Sequence, residues 1–151
     1  MSKEYSSERQ ADDFNLVHFI EAQELVYPRV TNELKNGKKQ SHWMWFIFPQ
    51  VIGLGISSIS NLYSIKSIEE AKAYLNHPVL GKRLIECSAI LLDIKDKSAN
   101  EIFGFPDNVK LQSCMTLFST VSSKEPVFDK ILAKYFKNVK DQRTIEILNT
   151  L

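Results

Sequence analysis

The sequence predicts an all-α fold: one compact multi-helix domain, with at most a short strand-like pair around residues 43 to 52. Three observations carry this. Apolar residues recur at three- and four-residue spacing over most of the chain, the period of a helix face, and strict alternation never persists. Ser67-Ile68-Glu69-Glu70 and Ser98-Ala99-Asn100-Glu101 each have the form of a capping box. In that motif the serine hydroxyl accepts from the third-residue amide, and the glutamate reaches back to the serine amide. The chain is 151 residues long with 44% hydrophobic and 25% charged residues, enough to bury one core, and it carries no repeat, low-complexity tract or linker.

Residues 1 to 11 mix both charge signs with serines and hold little apolar surface, so they are expected to form a flexible arm ahead of a helical domain over 12–151. Asp13 can cap a helix whose stripe runs Leu16, Phe19, Ile20, Leu25, Tyr27, Val30 and Leu34. Pro28 inside it predicts a break near Leu25 to Tyr27, and Gly37 ends it. Trp43 to Phe48 is the strand candidate, because a short apolar run reads alike in a strand and in a buried helix. Val51 to Ser60 reads as a loop. Gly53-Leu54-Gly55 lacks the third glycine and the lysine of phosphate-binding motifs, although such a turn can still present N–H groups to an anion.

Ser67 opens a helix from Ile68 to Leu75, which Asn76-His77-Pro78 stops. Pro78 is expected at the first position of the next helix, whose buried face is Leu80, Leu84, Cys87, Ile90, Leu91 and Ile94. Ser98 opens one short turn that Gly104 ends. Asp107 is the expected N-cap of a helix carrying Val109, Leu111, Met115, Leu117 and Phe118. Glu125-Pro126 opens a helix with Phe128, Ile131, Leu132, Tyr135 and Phe136, and Asp141 caps a last helix through Ile145 and Leu148.

Nineteen basic against eighteen acidic side chains leave a net charge of +1, which gives no general attraction for nucleic acid or anionic lipid. No apolar run approaches the roughly 20 residues that span a bilayer, and the first residues hold no apolar signal core, so a cytoplasmic protein is expected. Cys87 and Cys114 lie in apolar periodic segments and are expected as buried, reduced thiols. His18, His42 and His77 stand alone, without a second ligand at helical spacing, so no metal is expected. No cofactor motif is present.

Both tryptophans and two of nine phenylalanines fall within Lys38 to Gln50, bracketed by polar residues. A small-ligand site needs apolar walls and a few placed polar groups. Lys38 and Lys39 suit an anionic group, His42 is of the residue type suited to general acid or base work, Trp43 or Trp45 can stack a ring, and Gln50 and Gln23 can read its edge. Lys110 and Ser113 are one helical turn apart and can face the same cleft. Each has a structural counterpart: lysines on a solvated loop, tryptophans as core anchors, Gln50 satisfying a loop backbone. No carboxylate pair, serine elbow or cysteine–histidine arrangement favours a reaction. The side chains suit a nucleotide or ADP-ribose-like ligand, bound with or without catalysis. The alternative is a protein–protein interaction module using the aromatic segment as its interface.

Taken together, several motifs resemble the family known as domain of unknown function 1810. They are Phe19-Ile20-Glu21-Ala22-Gln23, Gly37-Lys38-Lys39, His42 to Gln50 and Gly53-Leu54-Gly55, then Glu70-Ala71, Tyr74 to Leu84, Phe103-Gly104, Pro106-Asp107, Lys110-Leu111 and Ser113 to Phe118. The likeness covers nearly the whole chain beyond the arm. Cys114 departs from it, standing where a second serine is expected. The resemblance implies a compact, mainly helical domain and no particular activity. Some members carry a calpastatin-like label, which a chain with the composition of a folded core does not support.

Overall fold

The computed structural model describes residue 14 and residues 16–151, so the expected arm and the Asp13 cap lie outside the described residues. The helices are α1 (Val17–Glu24), α2 (Tyr27–Lys35), α3 (Met44–Ile47), α4 (Ser58–Leu62), α5 (Ile68–Asn76), α6 (Leu80–Asp93), α7 (Ala99–Phe103), α8 (Asp107–Val121), α9 (Val127–Phe136) and α10 (Gln142–Thr150).

Pro28 breaks the first apolar stripe where its missing N–H requires. α1 stops at Glu24, and α2 restarts with the proline in its first turn. Leu25 falls in that break and is 94% exposed, so it is not part of the buried stripe. Gly37, at φ +70°, closes α2 in the left-handed region that glycine reaches without strain. The aromatic run folds as the single turn α3, not as a strand. Extended pairing among the described residues reduces to one parallel bridge, Val51 to Ile65, in which Ile65 N–H donates to Gln50 and Ile52 N–H donates to Ile65, each at 2.9 Å. The expected loop over 51–60 contains α4, five residues with no buried side chain, capped by the Ser57 hydroxyl.

Three expected caps are corrected. At Ser67 the hydroxyl accepts from Glu70 N–H, but the Glu70 carboxylate turns to Lys66 N–H, so only half a capping box forms; Ser98–Glu101 is complete. α6 begins at Leu80, and Pro78 precedes it. The His77 imidazole caps this end, its Nδ1 accepting from Val79 N–H at 3.0 Å and Leu80 N–H at 3.2 Å. Asp107 is the first residue of α8 rather than its cap, because its carboxylate is engaged by two lysines.

α8 is the organising helix. Leu111, Cys114, Met115, Leu117 and Phe118 are sealed, and the helix packs against α5, α7, α9 and α10. α6 packs against α2, α5 and α9. A run of rings crosses the core: Phe19 meets Tyr74 edge-on at 5.2 Å, Tyr74 meets Phe118 at 5.6 Å, and Phe118 meets Phe128 at 5.7 Å. Gly81 lets α5 run directly into α6, since a Cβ there would lie 1.8 Å from the Leu75 carbonyl oxygen. The far end of α6 is closed from α9: Lys134 Nζ donates to the carbonyls of Leu91, Leu92 and Ile94, where a cation meets the negative helix terminus. The described residues form one compact all-helical domain, and no helix among them is long and apolar enough to cross a membrane.

Candidate functional site

The aromatic segment divides into an inner and an outer half. Trp43 is 1% exposed, and Met44, Ile47 and Phe48 are sealed with it. Trp43 packs against Phe48 and Phe103 and donates its indole N–H to Glu33 Oε1 at 2.9 Å. Glu33 also accepts from Gln40 N–H, Ser41 N–H and the Ser41 hydroxyl. Burial of this carboxylate favours its protonated form, but the donors of Ser41, Gln40 and Trp43 outweigh it and hold the pKa at about 2. Glu33 is therefore a structural anion that ties the 38–43 loop to α2. Trp43, Met44, Ile47 and Phe48 are thereby withdrawn from any interface, whereas Trp45 and Phe46 stay half-buried.

Gln23 is also structural. It is 1% exposed, donates to the Phe46 carbonyl at 2.7 Å and to Tyr74 Oη at 3.2 Å, and accepts from Arg83 at 3.3 Å. Lys38 and His42 are exposed and lie outside the cleft described next. Four candidates do come together: Trp45, Gln50, Lys110 and Ser113. Lys39 stands behind them.

The bridge at Val51 and the turn at Gly53 (φ +101°) carry the 50–60 segment across the starts of α8 and α10. A cleft of about 230 Å³ opens there. Gln50, Leu54, Gly55 and Ser60 form one wall, Phe105, Val109, Lys110 and Ser113 the second, and Asp141 and Arg143 the third. A smaller recess adjoins it at Gln50, Gly55 and Ser60. It is lined by Trp45 and Tyr63 and has about 10 Å³, room for roughly one water. Local structure places each group. Asp141 caps α10 through Thr144 N–H at 2.9 Å and is pinned to α8 by its own N–H on Thr116 Oγ1 at 2.9 Å, which sets Arg143 in the first turn. Arg143 Nη2 donates to the Gly53 carbonyl at 3.4 Å.

Asp107 sits between two lysines, with Lys39 Nζ at 2.9 Å on one oxygen and Lys110 Nζ at 3.7 Å on the other. Lys110 Nζ also lies 4.9 Å above the Trp45 ring. Phe105 is 79% exposed at the rim. Ser113 is buried and its hydroxyl donates back to the Val109 carbonyl at 3.2 Å. Ser60 hydrogen-bonds to the Ser57 hydroxyl at 2.8 Å. The sequence does not mark Phe105, Leu54, Asp141 and Arg143 as cleft residues, although Asp141 is legible as a helix cap and Leu54 as part of a glycine turn. The exposed phenylalanine ahead of Pro106 and the paired glycines around Leu54 were the available signals. No three His, Cys, Asp or Glu side chains among the described residues form a group that could hold a metal ion.

An all-helical domain with a small cationic cleft between a glycine-turned segment and two helix starts is the class this geometry defines. The model of the family described as protein of unknown function (DUF1810) matches residues 13–148, and the chain belongs to that family. Its fold is similar to the crystal structure, at 1.38 Å, of the conserved hypothetical protein Rv1873 from Mycobacterium tuberculosis. The TM-score is 0.90 at 46% identity, covering 91% of this chain and 98% of that one. No curated protein matches it.

Proposed function

We propose that the protein binds a small anionic molecule with a planar ring, of about mononucleotide size, in the cleft between the 50–60 segment and the starts of α8 and α10. The observation that carries this reading is the meeting of two cations, Lys110 and Arg143, with an exposed ring, Phe105, around one concavity. Specific small-molecule sites combine apolar surface with a few convergent polar groups, and Gln50 and Ser60 supply further donors here.

Size separates the two ligands that the side-chain chemistry suggests. A cleft of about 230 Å³ lies below the usual ~300–1,000 Å³ of enclosed ligand pockets. A mononucleotide fits with part of it in solvent, whereas ADP-ribose, with its second sugar and diphosphate, overhangs. What the cleft residues offer is recognition. Both serine hydroxyls in it already hydrogen-bond within the protein.

Calorimetric titration with ribonucleoside monophosphates and with ADP-ribose tests the reading. Saturable binding of a monophosphate that weakens in Phe105→Ala supports it. Failure of every nucleotide to bind refutes it.

A further inference from the structure

We propose that Lys110 and Arg143 form a phosphoryl subsite within this cleft, and that Lys110 leaves the face of Trp45 to complete it. The inference rests on the small-molecule reading above and names the ligand group and the cations that take it.

Both cations have binding capacity to spare. A guanidinium carries five N–H donors in a rigid fork, and the one hydrogen bond of the Arg143 side chain is the 3.4 Å contact to Gly53. No carboxylate lies within 4.0 Å of Arg143 among the described residues. The nearest carboxylate to Lys110 is that of Asp107 at 3.7 Å, and Lys39 already matches this charge at 2.9 Å from a nearly covered position. Lys39, Asp107 and Lys110 together therefore present one net positive charge, and it resides at Lys110. Over the Trp45 ring that ammonium gains a cation–π contact, which at a partly exposed site is weaker than a charge-assisted hydrogen bond to a phosphate oxygen. Transfer from ring to phosphate is thus downhill once an anion arrives.

The remaining groups define the limit of the subsite. Gln50 lines the cleft with no hydrogen bond to its side-chain amide among the described residues, leaving two donors for phosphate or ring edge. Asp141 is the opposing charge in the cleft. Its Oδ2 is held by Thr144 N–H and the Thr144 hydroxyl. Two cations facing one capped carboxylate suit a single phosphoryl group better than a di- or triphosphate.

The tryptophans provide a built-in readout, because Trp43 is sealed against Glu33 and Trp45 alone meets Lys110. Tryptophan emission is followed while ribonucleoside monophosphates, the matching nucleosides and inorganic phosphate are titrated into the full chain. The expected result is that monophosphates bind about tenfold or more tighter than nucleosides, that phosphate competes, and that emission changes on saturation. Lys110→Met and Arg143→Met should each abolish that preference, Lys110→Arg should retain it, and unchanged melting temperatures should show that the variants fold. Equal affinity for monophosphates and nucleosides, or a preference that survives in both methionine variants, overturns the subsite while leaving the cleft reading intact. If no nucleoside, monophosphate or phosphate binds, both fall together.

Discussion

The indole N–H of Trp43 donates to Glu33 Oε1 at 2.9 Å, with both side chains buried. The carboxylate gathers three further donors from Gln40 and Ser41, so a single side chain of α2 fixes the loop that leads into the aromatic turn. Because its pKa is held at about 2 in the folded protein against 4.5 when free, the unfolded chain binds more protons between those values. Stability is therefore complete above about pH 4.5 and falls as the pH drops toward 2, by an amount of about 3 kcal/mol. Glu33→Gln should cost about 1–3 kcal/mol at pH 7 and remove most of that acid-limb loss. Urea denaturation of both proteins at pH 7, 4 and 3 measures it. Equal acid sensitivity in the two would place the effect elsewhere.

Trp43 and Trp45, separated by one residue, should behave oppositely. Trp43→Ala removes a sealed ring and leaves Glu33 with one donor fewer, so a loss of about 3–5 kcal/mol is expected. Trp45 is half-buried beside the small recess with the Lys110 ammonium 4.9 Å above its ring, so Trp45→Ala should cost about 1–2 kcal/mol. Iodide quenching checks the assignment: Trp45→Phe should abolish the quenchable emission, and Trp43→Phe should leave it.

The helical character and most boundaries could be read from the sequence because their determinants are local. Pro28 breaks a stripe wherever the chain folds, and the Ser98–Glu101 box satisfies its own amides. Other boundaries depend on a distant partner. Asp107 looks like an N-cap until Lys39 arrives from another part of the chain, and His77 does not look like a cap until the burial of its ring is known. Gln23 and Glu33 are polar positions on buried helix faces, and nothing in their neighbours announces that Tyr74 or Trp43 will meet them. The cleft was half visible. The spacing of Lys110 and Ser113 placed them together, but Arg143 and Phe105 join them only through packing of α10 and the 50–60 segment against α8.

Gly81 tests how tightly α5 and α6 are joined. A methyl group there would collide with the Leu75 carbonyl, which is backbone and has no rotamer to escape into. Gly81→Ala should destabilise by about 3 kcal/mol or prevent folding, against a helix-propensity gain of about 1 kcal/mol in the other direction. A melting temperature equal to that of the parent would show that the joint yields.

Cys87 and Cys114 are both free and sealed. Burial pushes the Cys87 thiol up to about 12 and raises Cys114 well above the usual thiol range, so neither forms thiolate near neutral pH. A disulfide-exchange reagent should titrate two thiols in denaturant and react orders of magnitude more slowly with the native protein. Rapid native labelling of either would reveal an opening of α6 or α8.

His77 should make stability pH-dependent from a higher pH than Glu33 does, beginning at its free value of 6.5 rather than 4.5. Its Nδ1 accepts from the amides of Val79 and Leu80 and has to be unprotonated to do so, while burial of the ring holds its pKa below the free value of 6.5. Between the folded and unfolded values the unfolded state binds more protons, so stability is complete above about pH 6.5 and declines as the pH falls through the folded value. Protonation turns the acceptor into a donor facing two other donors and opens the start of α6. His77→Ala should cost about 1 kcal/mol at pH 8, the loss of a helix cap, and should flatten the decline between pH 7 and 5. His77→Asn, which keeps a side-chain acceptor without titrating, should recover part of that stability and be equally flat. Thermal melts of the three proteins from pH 8 to 5 decide the matter. A decline that persists in both variants would remove His77 as its source.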